Sequence, residues 1–582
     1  MCGIVGYVGK KKALPILIDG LKSLEYRGYD SSGISYILDN KTYIIKEEGK
    51  LENLINKLNT DIDTYIGIGH TRWATHGNPT KENAHPHKQG KITLVHNGII
   101  ENYEEIKTKL NYDFKSETDS EVIAALLDSL YNKNNDILKS LIELKSILKG
   151  SYSLGIIVDN IEKIYAIKKD SPLIIASNKE LNFIASDVPA VLKYTNKYVL
   201  LNENEIACLD KDSIVIYDED LNQVNKDYLI FEGDSNNACK NGFEHFMLKE
   251  IYEQPDVFKK TIDYLFNIKL PNFKKYNKIE IVACGSAYHA GLIGKNLIEK
   301  FANIEVNVYI ASEYRYQKIF HNKKTLVIFI SQSGETADTI ACLNKVKEEK
   351  LDSLGIINVV GSSIARNTTK VIYTKAGIEI AVATTKAFLS QITVLSLIAF
   401  KLANFNDKET KDILNDIERL PNLMEKLLDI NYKKIAKELY QKEHIYFLGR
   451  GIDYCLSLEG SLKLKEISYI HSEAYPSGEL KHGTIALISK DTPLIVISTD
   501  EKLNDKTLNN VKEVKARGAK VYGISTFISN EYDELILVDS VHEILRPILT
   551  IIPLQMIAYE VAKLKGCEID KPRNLAKSVT VE

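Results

Sequence analysis

The second residue of the chain is a cysteine, and that address gives it chemistry an interior cysteine lacks. With Met1 removed, the Cys2 thiol shares its residue with a free α-amine of reference pKa about 7.7–8.0. Part of that amine is unprotonated at neutral pH and can relay the thiol proton, directly or through a water. A thiolate is already a strong nucleophile, so little further activation is needed. The alternative is a small buried residue opening a strand. Three further stretches carry groups such a nucleophile would use. His70-Thr-Arg-Trp-Ala-Thr-His-Gly77 holds an Arg, two His and the chain's only Trp. The planar fork of Arg72 suits a carboxylate. Val95-His-Asn-Gly-Ile99 is expected to end a strand at Asn97-Gly98, where a side-chain amide and a backbone N–H are plausible oxyanion donors. Ser116-Glu-Thr-Asp-Ser-Glu121 is expected to open a helix. Ser116 reads as its cap, and Asp119 either favours the positive helix end or holds a substrate amine. His70, His76, His85, His87 and His96 match no metal-ligand spacing, and His85-Pro-His87 reads as a loop with structural hydrogen bonds.

The second half offers a different set. Thr325 to Ile330 reads as a strand feeding Ser331-Gln-Ser-Gly-Glu-Thr336 at a helix start. Hydroxyls and free backbone N–H groups there suit a phosphate monoester, and an ordinary hydroxyl-capped helix has the same composition. The Gly-x-x-x-x-Gly-Lys-Ser/Thr loop of nucleotide triphosphate users does not occur. Ser461-Leu-Lys-Leu-Lys-Glu-Ile-Ser468 reads as a helix with Lys463 and Glu466 on one face, the usual pattern of a solvated ion pair. Leu458 and Leu462 are expected to face the core. Glu473 to Gly483 is a loop dense in ionisable groups, and Gly566 to Glu582 looks by composition like a loose tail carrying Lys577.

The elements that must position these groups are legible in outline. To about residue 240, short apolar runs separated by turn formers read as strands, among them Ile34 to Leu38, Thr64 to Ile68, Ile92 to Val95, Ser153 to Val158 and Leu181 to Ala185. Leu14 to Leu24 and Ser120 to Tyr131 have helical spacing instead. A polar linker is expected at Glu232 to Gly242. Strand–turn–helix units then alternate, as in a parallel α/β sheet. They recur about 165 residues later, so a duplicated module is expected, joined by a charged stretch near Asn404 to Asn422. The 582 residues carry 75 Lys and Arg against 78 Asp and Glu, a balance that argues against nucleic-acid binding. No continuous apolar run approaches the roughly 18 residues of a membrane span, the longest candidate being Ile392 to Phe400. Seven scattered cysteines point to a reducing cytoplasm rather than a disulfide framework.

Cys2-Gly-Ile-Val-Gly6, Glu25-Tyr-Arg-Gly-Tyr-Asp30, His70 to Gly77 and His96-Asn-Gly98 together resemble a class II glutamine amidotransferase domain of the N-terminal-nucleophile type. The resemblance implies that Cys2 attacks the glutamine amide and releases ammonia. It implies Asn97 and Gly98 as oxyanion hole, Arg72, His76 and Asp119 as holders of the amino-acid end, and Trp73 as a mobile lid on an ammonia channel. Ser331 to Thr336, Ala383-Thr-Thr-Lys-Ala-Phe388, Lys463 to Ser468, Glu479-Leu-Lys-His-Gly483 and the tail resemble the isomerase half of the glucosamine-6-phosphate synthase family, a pair of sugar-isomerase (SIS) domains. The fold implied is α/β and multidomain: an αββα glutaminase domain over 2–238, parallel α/β SIS domains over 239–425 and 426–565, and a tail over 566–582 covering the sugar site. The implied substrates are L-glutamine and fructose 6-phosphate, at the first step toward UDP-N-acetylglucosamine.

The same resemblance implies that Ser286, Ser331, Gln332, Ser333, Thr336 and Thr384 hold the sugar phosphate. His482 would open the ring, Lys577 would form a Schiff base with the C2 ketone, Glu466 would move a proton between C1 and C2, and Lys463 would stabilise charge on oxygen. No metal or organic cofactor is implied, nor a nucleic-acid or membrane partner. A homodimer or larger is implied, because the ring-opening His comes from the neighbouring subunit. Two positions depart from the family pattern: Ala287 stands where a hydroxyl residue is usual, and Thr384 where Ser is. A sugar-phosphate sensor, which would bind without turnover, is the competing reading that Ala287 favours.

Overall fold

The computed structural model describes residues 2–74, 77–231 and 240–580, with Tyr26 by its backbone alone. His76 and the expected linker as far as Cys239 lie outside the described residues. The chain divides into two compact units. One holds the described residues up to 231 together with those from Ala576 onward; the other runs from Lys240 to Leu575.

In the first unit, strand β1 (Gly3–Gly9) leads into helix α1 (Ala13–Leu24), whose buried Leu14, Leu17, Ile18 and Leu21 recur at helical spacing. Strands β2 (Ser31–Leu38), β3 (Ile66–Arg72) and β4 (Ile92–Ile100), helix α2 (Asp119–Asn134) and strand β5 (Gly150–Val158) follow. β1 pairs antiparallel with β3 on one side and with Leu181–Ala185 on the other, inside an eight-stranded sheet of the described residues. β4 and β5 pair antiparallel in a six-stranded sheet. Ile4, Val8, Ile66 and Ile68 of the first sheet pack against Val95, Ile157, Ile164 and Ala166 of the second, so the sheets face each other. α1 packs on β1 and β3, and α2 packs its Val122, Ile123 and Leu127 with Leu94, Leu154 and Ile156. With both faces covered, β1 and β3 are buried along their whole length. The layering is helix, sheet, sheet, helix.

β4 does not end at Asn97-Gly98 as expected. It runs on to Ile100, with Asn97 opposite Ser153 and Gly98 opposite Tyr152. Gly98 takes φ of 140°, and a Cβ there would stand 2.0 Å from the Ser151 carbonyl oxygen. Only glycine lets the strand continue past the site in that conformation.

The second unit repeats one α/β module. The first copy contains β6 (Lys278–Ala283), α3 (Gly285–Ala302), β7 (Thr325–Ser331), α4 (Ala337–Glu348) and α5 (Lys386–Leu402), and α6 (Asp407–Leu428) follows it. The second contains β8 (His444–Gly449), α7 (Ile452–Ser468), β9 (His471–Pro476), β10 (Pro493–Ser498), α8 (Glu501–Lys515) and α9 (Arg546–Leu564). Each copy forms a five-stranded parallel sheet whose strands lie in the order 2-1-3-4-5. In such sheets ligands bind beyond the carboxyl ends of the strands where the order reverses. That crevice lies between β6 and β7 in the first copy and between β8 and β10 in the second.

Three expectations give way here. The charged stretch near Asn404 to Asn422 is mostly helix α6, opened by a capping box between Asn406 and Glu409. Its charges line the outer face while Ile413, Ile417 and Leu420 are buried, so composition alone misread a surface helix as a linker. The tail is not loose as far as Leu575. Ile569 is buried, Asp570 accepts the Phe246 and Met247 N–H groups at 2.9 Å, and the Arg573 N–H donates to the Tyr469 hydroxyl at 2.8 Å. Finally, α9 is long and apolar enough to cross a membrane by length and composition, but 83% of that stretch is buried in the second unit.

Candidate active site

Cys2 precedes β1, and β1 lies beside β3, so the Cys2 sulfur meets the residue just after β3. The Trp73 N–H donates to Cys2 Sγ at 3.3 Å, and the Trp73 carbonyl lies 3.6 Å from the same sulfur. Asn97 Nδ2 donates to the Cys2 carbonyl at 3.0 Å, and Arg27 Nε does so at 3.1 Å. Arg27 is itself paired with Asp187 at 3.1 Å. Arg72 is buried and donates to the Gly77 and Asn78 carbonyls at 3.2 and 3.1 Å. Burial pulls its guanidinium below the ordinary arginine range, against the opposing pull of Cys2, Asp30, Asp119 and Glu117. Asp119 is buried at the first turn of α2, and its Oδ2 accepts the Ile100 N–H at 2.8 Å, just beyond Asn97-Gly98. Ser116 does not cap that helix. Its N–H is taken by Glu121 at 2.6 Å, and its hydroxyl lies 2.9 Å from that of Thr118, the residue at the cap position.

The sequence motif at Glu25 to Asp30 gains its meaning only here. Gly28 lies against the backbone of Arg72 and Trp73: a Cβ would stand 2.6 Å from the Arg72 carbonyl carbon and 2.7 Å from the Trp73 nitrogen. Asp30 Oδ2 accepts the Ala74 N–H at 2.8 Å. The pair therefore sets where the Trp73 N–H points. Gly28→Ala should push that N–H away from Cys2 Sγ and cut glutamine hydrolysis by about 10-fold or more, since one donor to the reacting centre is displaced. Steady-state glutaminase rates check this; an unchanged rate removes the Trp73 N–H from the mechanism.

Four buried imidazoles underlie the site. The His70 and His85 ring centroids are 4.0 Å apart, and His85 lies 4.7 Å from His87 and 6.5 Å from His96. The structural hydrogen bond expected at His85-Pro-His87 exists only at His87, whose Nε2 lies 3.2 Å from Thr118 Oγ1. Neither ring nitrogen of His85 has a partner among the described residues. Burial pushes His70 down to about 3 and holds His85 and His87 well below 6.5. The unfolded chain takes up these protons as pH falls below about 6.5, and the folded chain does not. Stability of the first unit should therefore fall as pH drops below about 6.5. Denaturant midpoints across that range check it; a flat profile would show that the cluster protonates in place. Among the described residues no three His, Cys, Asp or Glu side chains are grouped as a metal ion requires.

In the second unit, the loop after β7 is internally braced. The Gly334 N–H donates to Ser331 Oγ at 2.9 Å and the Glu335 N–H to Ser333 Oγ at 3.1 Å. Ser331 and Thr336 hydroxyls lie 3.2 Å apart, and the Gln332 carbonyl accepts the Val359 N–H at 3.3 Å. Ser331 and Ser333 thus accept from the loop's own backbone. Thr336 stands at the cap position of α4, where first-turn N–H groups face the loop. Thr384 Oγ1 donates to Glu379 at 2.6 Å, and Glu379 also accepts the Thr385 and Ala387 N–H groups at the start of α5.

α3 and α7 pack together, and their facing residues form a buried ionic cluster. Lys463 is fully buried, 2.5 Å from Glu466 Oε2 and 3.5 Å from Glu459 Oε1. Glu459, also fully buried, accepts from Ser286 Oγ at 2.8 Å and lies 2.8 Å from His289 Nδ1. The expected solvated ion pair is therefore a core feature, and Leu458 and Leu462, expected inside, are only half-buried. His482 is exposed on the turn Glu479–His482, and no described hydrogen bond holds it. Lys577 is half-buried in the stretch that groups with the first unit. Arg27, Gly28, Asp30 and His70 lay inside motifs that carry the resemblance but were assigned no role of their own, and Glu459, His289 and Glu379 were not singled out. Glu459 alone had a usable signal, the i to i+4 spacing to Lys463.

The glutamine amidotransferase domain family matches residues 70–193, and the SIS domain family matches 272–401 and 438–565. The glutamine–fructose-6-phosphate aminotransferase [isomerizing] of Clostridium tetani is 47% identical over 610 aligned residues, covering all of both chains. The chain belongs to this aminotransferase family. The Aquifex aeolicus and Methanosarcina mazei members are 43% and 44% identical, again with both chains fully covered. Among solved structures, the C-terminal domain of the Francisella tularensis glucosamine-fructose-6-phosphate aminotransferase matches with TM-score 0.54 and 39% identity, over 57% of this chain and 99% of that one. Against the family pattern, Ala287 packs among the apolar residues around the second unit's core, and the Ser286 hydroxyl beside it is engaged by Glu459.

Proposed function

We propose that the chain transfers the amide nitrogen of L-glutamine to fructose 6-phosphate and isomerises the product to glucosamine 6-phosphate, releasing glutamate. The observation that carries this reading is the end-to-end likeness to relatives named for that activity. Cys2 Sγ attacks the amide carbonyl, the C–N bond breaks, ammonia leaves, and water hydrolyses the thioester. Asn97 Nδ2 and the Gly98 N–H receive the oxyanion. Arg72 and His76 take the α-carboxylate of glutamine, Asp119 its ammonium, and Trp73 closes over the site. The nitrogen reaches the sugar as ammonia, because ammonium has no lone pair.

Ser331, Gln332, Ser333 and Thr336 hold the phosphate of the ketose, and Ser286 and Thr384 hold the sugar beside it. His482 assists ring opening. Its exposed turn can serve a neighbouring subunit, so the working form is at least a homodimer. Lys577 Nζ condenses with the C2 ketone, losing water, and the imine is then displaced by ammonia. Glu466 carries the proton between C1 and C2 while Lys463 stabilises charge on oxygen. A reducing cytoplasm keeps the Cys2 thiol available. Incubation with amide-15N glutamine and fructose 6-phosphate should give a labelled hexosamine phosphate by mass spectrometry. Binding of fructose 6-phosphate without that product would leave a sensor instead. Borohydride with fructose 6-phosphate should trap an adduct on the parent chain and none on Lys577→Arg; an adduct that survives the change assigns the imine to another lysine.

A further inference from the structure

We infer that His70 is a positioning residue for glutamine hydrolysis, deciding which end of the Asn97 amide faces Cys2. The inference rests on the reading of Asn97 as an oxyanion donor and adds what makes it one. An asparagine presents an acceptor oxygen and a donor nitrogen of nearly equal shape. In the wrong orientation Asn97 would put a carbonyl dipole against the developing negative charge. Nothing in Asn97 itself chooses between the two.

His70 supplies the choice through a chain of forced assignments. It is fully buried in β3, opposite Ile4 and Gly33 in the pairing of that sheet. Its Nε2 lies 3.0 Å from the His96 carbonyl oxygen and 3.1 Å from Asn97 Oδ1. A backbone carbonyl can only accept, so Nε2 must carry the hydrogen. An N–H at that position then requires an acceptor from Asn97, which places Oδ1 toward His70 and Nδ2 toward Cys2. On its other side Asn97 Nδ2 donates to the Cys2 carbonyl at 3.0 Å, a second contact that requires the same orientation. The ring is held in turn by His85, whose centroid is 4.0 Å away at an interplanar angle of 33°. His85 is confined by Gly33, where a Cβ would stand 2.1 Å from the His85 carbonyl oxygen. Burial keeps His70 neutral through the working pH range, so the donor comes from a fixed tautomer and not from a charge.

The test is a double-mutant comparison read on glutamine hydrolysis. Asn97→Ala sets the value of the oxyanion donor, about 10²-fold in kcat. His70→Leu should cost about 30-fold in kcat with KM within about twofold, since ground-state binding is untouched. His70→Gln, whose amide nitrogen can donate to the same two oxygens, should recover to within about fivefold of the parent. In His70→Leu/Asn97→Ala the losses should not multiply, because both changes remove one interaction. Amination of the sugar by added ammonium salts should be unaffected in the His70 variants. Multiplied losses, or equal losses in the Leu and Gln variants, would overturn the positioning role. If His70→Leu fails to fold, His70→Phe, alone and combined with Asn97→Ala, carries the same comparison. An Asn97→Ala enzyme with undiminished hydrolysis would instead remove the oxyanion reading, and this inference with it.

Discussion

Cys2→Ala should lower glutamine-dependent amination by about 10⁴-fold or more while leaving amination by added ammonium salts intact, because the nucleophile is removed and nothing in the second unit is touched. Neighbours hold both the sulfur and the carbonyl of Cys2. The Trp73 N–H, the Arg27 guanidinium and the Asn97 amide all end on Cys2, and none is a nucleophile that could take its place. The asymmetry between nitrogen sources is the informative readout, since a merely unfolded chain would lose both. Parallel assays with glutamine and with ammonium, with hexosamine phosphate measured directly, decide it. Residual glutamine-dependent synthesis near the parental rate would refute the assignment of Cys2.

Lys463→Met should produce the opposite pattern. Lys463 sits between Glu466 and Glu459 with no solvent exposure. Burial alone would lower its pKa, but Glu466 first and then Glu459 outweigh it, and the net direction is up. A lysine raised in the folded state contributes fully below its ordinary value of 10.5 and loses that contribution only as pH climbs past it. Lys463 is therefore a charged group at every pH used for assay. Removing it leaves two carboxylates facing each other in the core, at a cost of about 3–5 kcal/mol of stability. Sugar turnover should fall by about 10²–10⁴-fold, while hydrolysis of glutamine at Cys2 persists. Lys463→Arg, which keeps the charge but not the shape, separates the chemical from the structural loss. Parental sugar turnover in both variants would reduce the cluster to a packing feature.

Much of the framework was legible because its signals are local. The strand Thr325–Ser331 and the helices Ala13–Leu24 and Asp119–Asn134 fall within a few residues of the sequence expectation. Their apolar periods and turn residues operate over a few positions. The duplication was legible for the same reason, since each module repeats the same short-range rhythm. Composition failed where it was asked to report burial. Helix α6 looked like a linker, the segment Gly566 to Leu575 looked loose, and Leu458 and Leu462 looked like core where Glu459 and Lys463 are.

By itself the sequence determined which chemical groups the chain owns and the order in which they come: a thiol at the second position, an amide before a glycine, hydroxyls after a parallel strand, a lysine on the chain's last segment. Tertiary structure alone decided how those groups are oriented and which of them are charged neighbours. Gly28 meets the backbone of Arg72 and Trp73, Arg27 meets the Cys2 carbonyl, His70 bonds Asn97 from a different sheet, and Glu459 joins Ser286 to Lys463 across 173 residues of chain. Propensity and periodicity act within a few residues, whereas hydrogen-bond direction and desolvation depend on partners that only packing brings together.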